Sequence, residues 1–226
     1  MTTPPRLAGG AGTGELIDCS PPITPSLAVF PGDTPPSREV LMDMARGDHL
    51  TLSTLRTTVH LGSHADGMSH YGTGPEAPAI DAMPLEHFVG PCRVIRVAVA
   101  PGMRVGVDDL AGAPIDRPRI LLATGSFPDP DTWTEDFAGL EPDLVDHLAD
   151  RGVITVGIDT PSVDLATARE LVAHHRFLAR RVAILEGLVL EGVAPGTYEL
   201  LALPLRLVGF DASPVRAVLR PERPTG

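Results

Sequence analysis

His60-Leu61-Gly62-Ser63-His64-Ala65-Asp66-Gly67-Met68-Ser69-His70 places three histidines and a carboxylate within eleven residues. The stretch leading into it, from Leu50-Thr51-Leu52-Ser53 to Val59, is rich in threonine and branched residues and reads as a strand running into His60. Gly62 permits a sharp bend, and His64 and Asp66, two apart, share one side of an extended segment. Two imidazoles and a carboxylate converging there suit Zn²⁺, with Mn²⁺ and Fe²⁺ less decisive alternatives, and leave coordination positions for water. His70, four residues beyond Asp66, is in reach as a further ligand or as a free base beside the metal. Spacing leaves both open.

A second cluster stands far along the chain. His174-His175 falls in a predicted helix, where His174 shares a face with Leu171, Phe177 and Leu178 and by itself reads as a core histidine. Glu186 changes that reading. It sits in Ala183-Ile184-Leu185-Glu186-Gly187-Leu188-Val189-Leu190, where every neighbour is apolar or glycine, and a buried carboxylate needs a partner. A divalent ion supplies one, and His174 and Glu186 added to the first cluster give enough ligands for two metals.

Outward from these clusters, residues 61–79 read as a long polar loop and the prolines between Pro21 and Pro36 forbid a central strand or a helix. Cys92–Ala100, Ile120–Ala123, Val153–Ile158, Ala183–Leu190 and Leu200–Leu207 read as strands. One helix is predicted over Glu141–Gly152, with Pro142 in its first turn; a second begins at Thr167-x-x-Glu170, a capping-box pattern, and runs to Arg181. Strands outnumber helices in mixed order, which predicts an α/β fold: a single domain with a mixed, largely β core flanked by helices. Residues 1–15 read as a flexible tail and residues 16–226 as that one domain.

Composition narrows the function. The 226 residues carry a net charge of −11 without a dense basic run, which argues against a nucleic-acid partner. No segment reaches the length of an apolar membrane span, and no basic n-region precedes an apolar stretch at the N-terminus, so no membrane partner and a cytoplasmic location are expected. Cys19 and Cys92 are too few for a disulfide framework. Gly125-Ser126 lacks the G-x-S-x-G pattern of a serine-hydrolase elbow.

His60-x-x-x-His64-x-Asp66-x-x-x-His70, taken with Phe30-Pro31-Gly32-Asp33-Thr34, Gly157-Ile158-Asp159-Thr160-Pro161-Ser162, Ala173-His174-His175, Ile184-Leu185-Glu186-Gly187 and Asp211-Ala212-Ser213-Pro214-Val215-Arg216-Ala217, resembles the bacterial kynurenine formamidases (arylformamidases) of the metal-dependent cyclase/hydrolase family. The resemblance runs from about Ile17 to Arg220. It implies a cyclase-like α/β domain of the swivelling β/β/α type, a homodimer, and two zinc ions per subunit, manganese being the other candidate. It implies hydrolysis of N-formyl-L-kynurenine to L-kynurenine and formate, a step in tryptophan breakdown, through a zinc-bound hydroxide. By position, His60, His64, Asp66 and Glu186 would hold the first zinc and Asp66, His174 and Glu186 the second, the two carboxylates bridging. His70 matches the family's acid/base, and Phe30 stands where the family has a substrate-contacting tryptophan. Met68 replaces a proline, Ala123 an arginine and Val172 an aspartate, departures that bear on the substrate more than on the metal.

Three functions follow as expectations: an aryl formamidase, in which His70 protonates the departing arylamine; a relative in specialised metabolism that opens a cyclic amide in the manner of isatin hydrolase or acts on another carbonyl substrate; and a non-catalytic, metal-stabilised binding protein.

Overall fold

The computed structural model describes residues 16–222, so the tail expected over residues 1–15 lies outside the described residues. In chain order the strands are β1 (Ile17–Asp18), β2 (Ser37–Met42), β3 (Leu52–Arg56), β4 (His64–Asp66), β5 (Val89–Arg96), β6 (Arg104–Val105), β7 (Arg119–Ala123), β8 (Gly139–Leu140), β9 (Thr155–Ile158), β10 (Ala183–Glu186), β11 (Gly196–Leu201), β12 (Ala212–Pro214) and β13 (Val218–Pro221). The α-helices are α1 (Pro142–Ala149) and α2 (Val172–Arg180).

Nine of these strands form one mixed sheet in the order β1-β13-β11-β5-β7-β9-β10-β4-β12. Its centre, β5-β7-β9-β10, is parallel, and antiparallel strands extend it on both sides. Every residue of β7, β9 and β10 is buried, as continuous apolar runs require when both faces of a parallel sheet are covered. Helix α1 buries Leu144, Val145 and Leu148, and α2 buries Ala173, His174 and Phe177. The α/β fold with one domain and a largely β core is therefore the observed one.

Several local expectations give way. The strand read as running into His60 ends at Arg56 and pairs with β2 in a separate, exposed hairpin; Thr58 turns out of it, donating its N–H to the Thr34 carbonyl. Residues 61–79 are not wholly loop, because His64–Asp66 forms a buried strand inside the main sheet. Helix α2 starts at Val172 and not at Thr167: the Asp164 carboxylate accepts the N–H groups of Ala173 and His174 and so supplies the capping oxygen from outside the helix. The strand expected to reach Leu190 stops at Glu186, since Gly187 turns into the left-handed region (φ 64°). The strand read over Leu200–Leu207 lies earlier, at Gly196–Leu201; beyond it Pro204 lacks a ladder donor.

Gly187 also fixes the approach of the two histidine clusters. A Cβ there would overlap the carbonyl oxygen of Gly62, so the backbone after β10 packs directly on the bend that carries His60 and His64. Gly62 itself has φ 53°, the sharp bend expected of it.

Cys19 and Cys92 are free and buried, and burial pushes each thiol up to about 12. Neither thiol is expected to react with a disulfide reagent in the folded protein at pH 8, whereas unfolding in guanidinium should release both. Rapid labelling of the folded chain would contradict this packing.

Candidate metal centre

The parallel strands deliver their C-terminal ends to one edge, the usual place for a ligand in such sheets. Asp159, just past β9, clamps that edge by accepting hydrogen bonds from the Thr124 N–H (3.0 Å), the Thr124 hydroxyl (2.6 Å) and the Gly125 N–H (2.8 Å) after β7. Beside it, β4 runs antiparallel to β10 with His64 directly opposite Glu186. Strand alternation puts His64 and Asp66 on one side, facing Glu186 and the first turn of α2.

Four of the predicted ligands are buried together, and His60 closes the cluster from its half-buried bend. Asp66 Oδ1 lies 3.3 Å from His60 Nδ1 and 3.6 Å from His64 Nε2, while its Oδ2 lies 3.7 Å from His174 Nε2. Glu186 is divided in the same way, Oε2 at 3.2 Å from His64 Nε2 and Oε1 at 3.6 Å from His174 Nε2. Each carboxylate thus offers one oxygen to the His60–His64 side and the other to the His174 side.

The second nitrogen of each ring is already engaged. His64 Nδ1 is 2.9 Å from the Gly62 carbonyl, which accepts its proton and leaves Nε2 free. His174 Nδ1 is 2.9 Å from Asp164, a carboxylate also paired with Arg104 at 2.8 Å. His60 Nε2 is 3.1 Å from Asp211. Outer hydrogen bonds of this kind fix the tautomer and aim the remaining lone pair, the arrangement of metal-ligating histidines.

Whether an ion fits can be judged from the polar atoms. Both Asp66 oxygens and His64 Nε2 are buried without a hydrogen-bond partner, a costly arrangement that a divalent cation would satisfy. The charges agree. Burial alone would raise the Asp66 carboxyl, yet the His174, His60 and His64 imidazoles hold it well below the usual carboxylate range. Burial opposes a proton on His60 and His174, but Asp66 and Asp211 push the first up to about 9, and Asp164 with Asp66 pushes the second up to about 10. A strongly negative pocket that favours protons on its imidazoles has the charge a divalent cation requires.

His70 sits in a single 3-10 turn, Met68–His70, its ring centroid 4.2 Å from that of His60 and 5.9 Å from that of His174. Burial lowers its pKa, keeping the ring neutral at pH 7. Met68 packs into the hydrophobic core, so the residue replacing proline fills the space beneath the turn and not the cavity. His175 points to solvent.

A cavity of about 530 Å³ opens over the cluster. His60, His64, His70, His174 and Glu186 line its floor; Leu27, Phe30, Phe127 and Trp133 line its apolar wall. Phe30 meets Trp133 edge-on, ring centroids 5.4 Å apart. Sequence reasoning passed over Trp133, Asp164 and Asp211. Trp133 stands in an acidic, aperiodic stretch; Asp164 and Asp211 lie far from the histidines in sequence, and only the opening residue of the Asp211-Ala212-Ser213-Pro214 block hinted at one of them.

The family model described as putative cyclase matches residues 17–165. The kynurenine formamidase of Bordetella petrii is 43% identical over 212 residues, covering 91% of this chain and 98% of that protein. That of Bordetella avium is 46% identical over 207 residues, with the same shares covered. Among solved structures, a potential metal-dependent hydrolase with cyclase activity superposes with a TM-score of 0.77 at 26% identity, over 93% of this chain and 99% of that one. An isatin hydrolase bound to the product analogue thioisatinate superposes with a TM-score of 0.80 over 94% of each chain; at 18% identity this likeness speaks for the fold.

Proposed function

Because the chain belongs to the putative cyclase family, we propose that it is a metal-dependent hydrolase of an aryl formamide, with N-formyl-L-kynurenine the first substrate to test and L-kynurenine and formate the products. The observation that carries this reading is the division of Asp66 and Glu186, each turning one oxygen to the His60–His64 side and the other to His174 at the floor of an aromatic-walled cavity. The kynurenine formamidases above are the relatives that support the substrate.

In this reading His60, His64, Asp66 and Glu186 hold one ion and Asp66, His174 and Glu186 a second, zinc by the donor set and manganese as the other candidate. A bound ion supplies Lewis acidity, polarising the formyl carbonyl and making water a nucleophile near neutral pH. His70 does the proton work: neutral at pH 7 and open to the cavity, it accepts a proton as water adds and delivers it to the departing nitrogen, whose loss protonation eases. Phe30 and Trp133 hold the aryl ring, so the indole absent at position 30 is supplied by Trp133 from another loop. Phe30→Ala should raise KM about tenfold with kcat little changed, as removal of one apolar wall predicts; steady-state kinetics on the formamide checks it, and an unchanged KM would remove Phe30 from the site.

The chain is further read as a homodimer, because Val40, Leu41, Leu52 and Leu55 are exposed on the β2–β3 hairpin and a second copy would cover them. A cytoplasmic location is supported by the two free cysteines. No helix among the described residues is long and apolar enough to cross a membrane.

The test is formation of L-kynurenine from N-formyl-L-kynurenine by zinc-loaded protein, with a chelated sample as control. Chelator-sensitive turnover is expected. A metal-replete protein that leaves the formamide intact but opens a cyclic amide would transfer the reading to the isatin-hydrolase type, and one that hydrolyses neither would leave a metal-stabilised binding protein.

A further inference from the structure

We propose that Asp211 is a positioning residue that sets the proton placement of two histidines at once, the metal-side His60 and the acid/base His70. The inference rests on the metal-hydrolase reading of the site. Asp211 Oδ2 lies 3.1 Å from His60 Nε2 and 3.5 Å from His70 Nδ1, and the two ring centroids are 4.2 Å apart with the planes tilted by 44°. A neutral imidazole carries one N–H and one lone pair, so whichever nitrogen donates to the carboxylate decides where the lone pair points.

For His60 the consequence is direct. A proton held on Nε2 toward Asp211 leaves the Nδ1 lone pair on the side of Asp66 Oδ1, 3.3 Å away. For His70, a proton held on Nδ1 leaves Nε2 bare, the nitrogen with which it accepts a proton in the proposed reaction. The oxygen has two lone pairs: it is hydrogen-bonded to His60 and lies at ion-pair distance from His70, on the Nδ1 side of that ring.

The carboxylate is well placed to impose this order because its backbone is tied to the loop that carries His70. The Asp211 carbonyl accepts the Gly67 N–H at 2.7 Å and the Phe210 carbonyl accepts the Ile80 N–H at 3.0 Å, on either side of the Met68–His70 turn. Ala212, the next residue, pairs with Asp66 across β12 and β4. Thus a single short segment fixes His60, His70 and Asp66 relative to one another. The ion-pair contacts of the Asp211 carboxylate are with the His60 and His70 rings, and it acts through them.

Asp211→Ala and Asp211→Asn should be compared with the wild type in three measurements. Zinc affinity, read by competition with a chromophoric chelator, should fall about 10- to 100-fold in Asp211→Ala and recover in part in Asp211→Asn, whose amide oxygen still accepts from His60. Nitrogen-15 spectra of the zinc-loaded protein should show His60 protonated on Nε2 and His70 on Nδ1, and His70 should lose that single tautomer in Asp211→Ala. On the formamide, kcat should fall with KM within about twofold, the pattern of a group that acts on chemistry and not on substrate binding. Wild-type zinc affinity together with an unchanged His70 tautomer in Asp211→Ala would overturn the proposal. If the wild type hydrolyses no formamide, the substrate reading fails, while affinity and tautomer still decide the role of Asp211. If Asp211→Ala does not fold, Asp211→Asn decides on the same spectra.

Discussion

Replacing His70 by alanine is expected to leave zinc content unchanged and to lower kcat on N-formyl-L-kynurenine by about 10²- to 10⁴-fold, the usual worth of a positioned acid/base. Metal content should survive because His70 makes its ion-pair contact with Asp211 and none with Asp66 or Glu186, whose oxygens face His60, His64 and His174. Turnover should not survive, because formamide cleavage expels an arylamine that leaves readily only when protonated. Since burial holds the His70 pKa below its ordinary value, the ring is neutral at pH 7 and its activity should be lost only as pH falls through that lowered pKa. The acid limb of the rate profile should therefore belong to His70 and disappear in His70→Ala, and added imidazole should restore part of the rate. His70 also lies close enough to Asp66 and His174 to share an ion with them. Metal analysis separates the roles: loss of one zinc per chain would make His70 a ligand, and an unchanged kcat would remove it from the mechanism.

How much of this was legible in the chain follows from what each residue needs. His60, His64 and Asp66 announced themselves because ligands from one bend must be close in sequence, and Glu186 did so because an ionisable group among Ile184, Leu185 and Leu188 has no other way to be paid for. The strand on which His64 and Asp66 stand was not legible. It is three residues long, and its partners, β10 and β12, lie far along the chain, so no local period marks it. The start of α2 departs from the local pattern for a related reason: the capping sequence at Thr167 competes with Asp164, whose carboxylate takes the Ala173 and His174 N–H groups while paired with Arg104 from a distant strand. Carboxylates that orient ligands, Asp164 and Asp211, need only reach a ring nitrogen in space, so sequence spacing carries no trace of them.

Asp66→Asn should have the largest effect of any single isosteric change. Asp66 is fully buried and divides its oxygens between the two sides of the site, so an amide removes the charge and one oxygen donor together. Turnover should fall by more than about 10³-fold, because both the ion and the groups it orients are affected. Stability provides a second readout. An ion present at a thousand times its dissociation constant stabilises the fold by about 4 kcal/mol, or roughly 8–16 °C in Tm for a chain of this length; Asp66→Asn should lose most of that gain. The pH dependence has a definite sign. In the chelated wild type, His60 and His174 titrate near 9 and 10, above the ordinary 6.5, so their protonation supports the fold fully below about 6.5 and that support is lost as pH rises through 9 to 10. Zinc must displace those protons, so its affinity should rise over the same window, and the Tm difference between loaded and chelated protein should widen with it. In Asp66→Asn, a neutral amide replaces the carboxylate that both rings share, and the chelated protein should show a flatter dependence. Calorimetry at pH 6, 8 and 9.5 with and without zinc measures all three effects; a variant that keeps the wild-type zinc gain at each pH would show that Asp66 does not bind the ion.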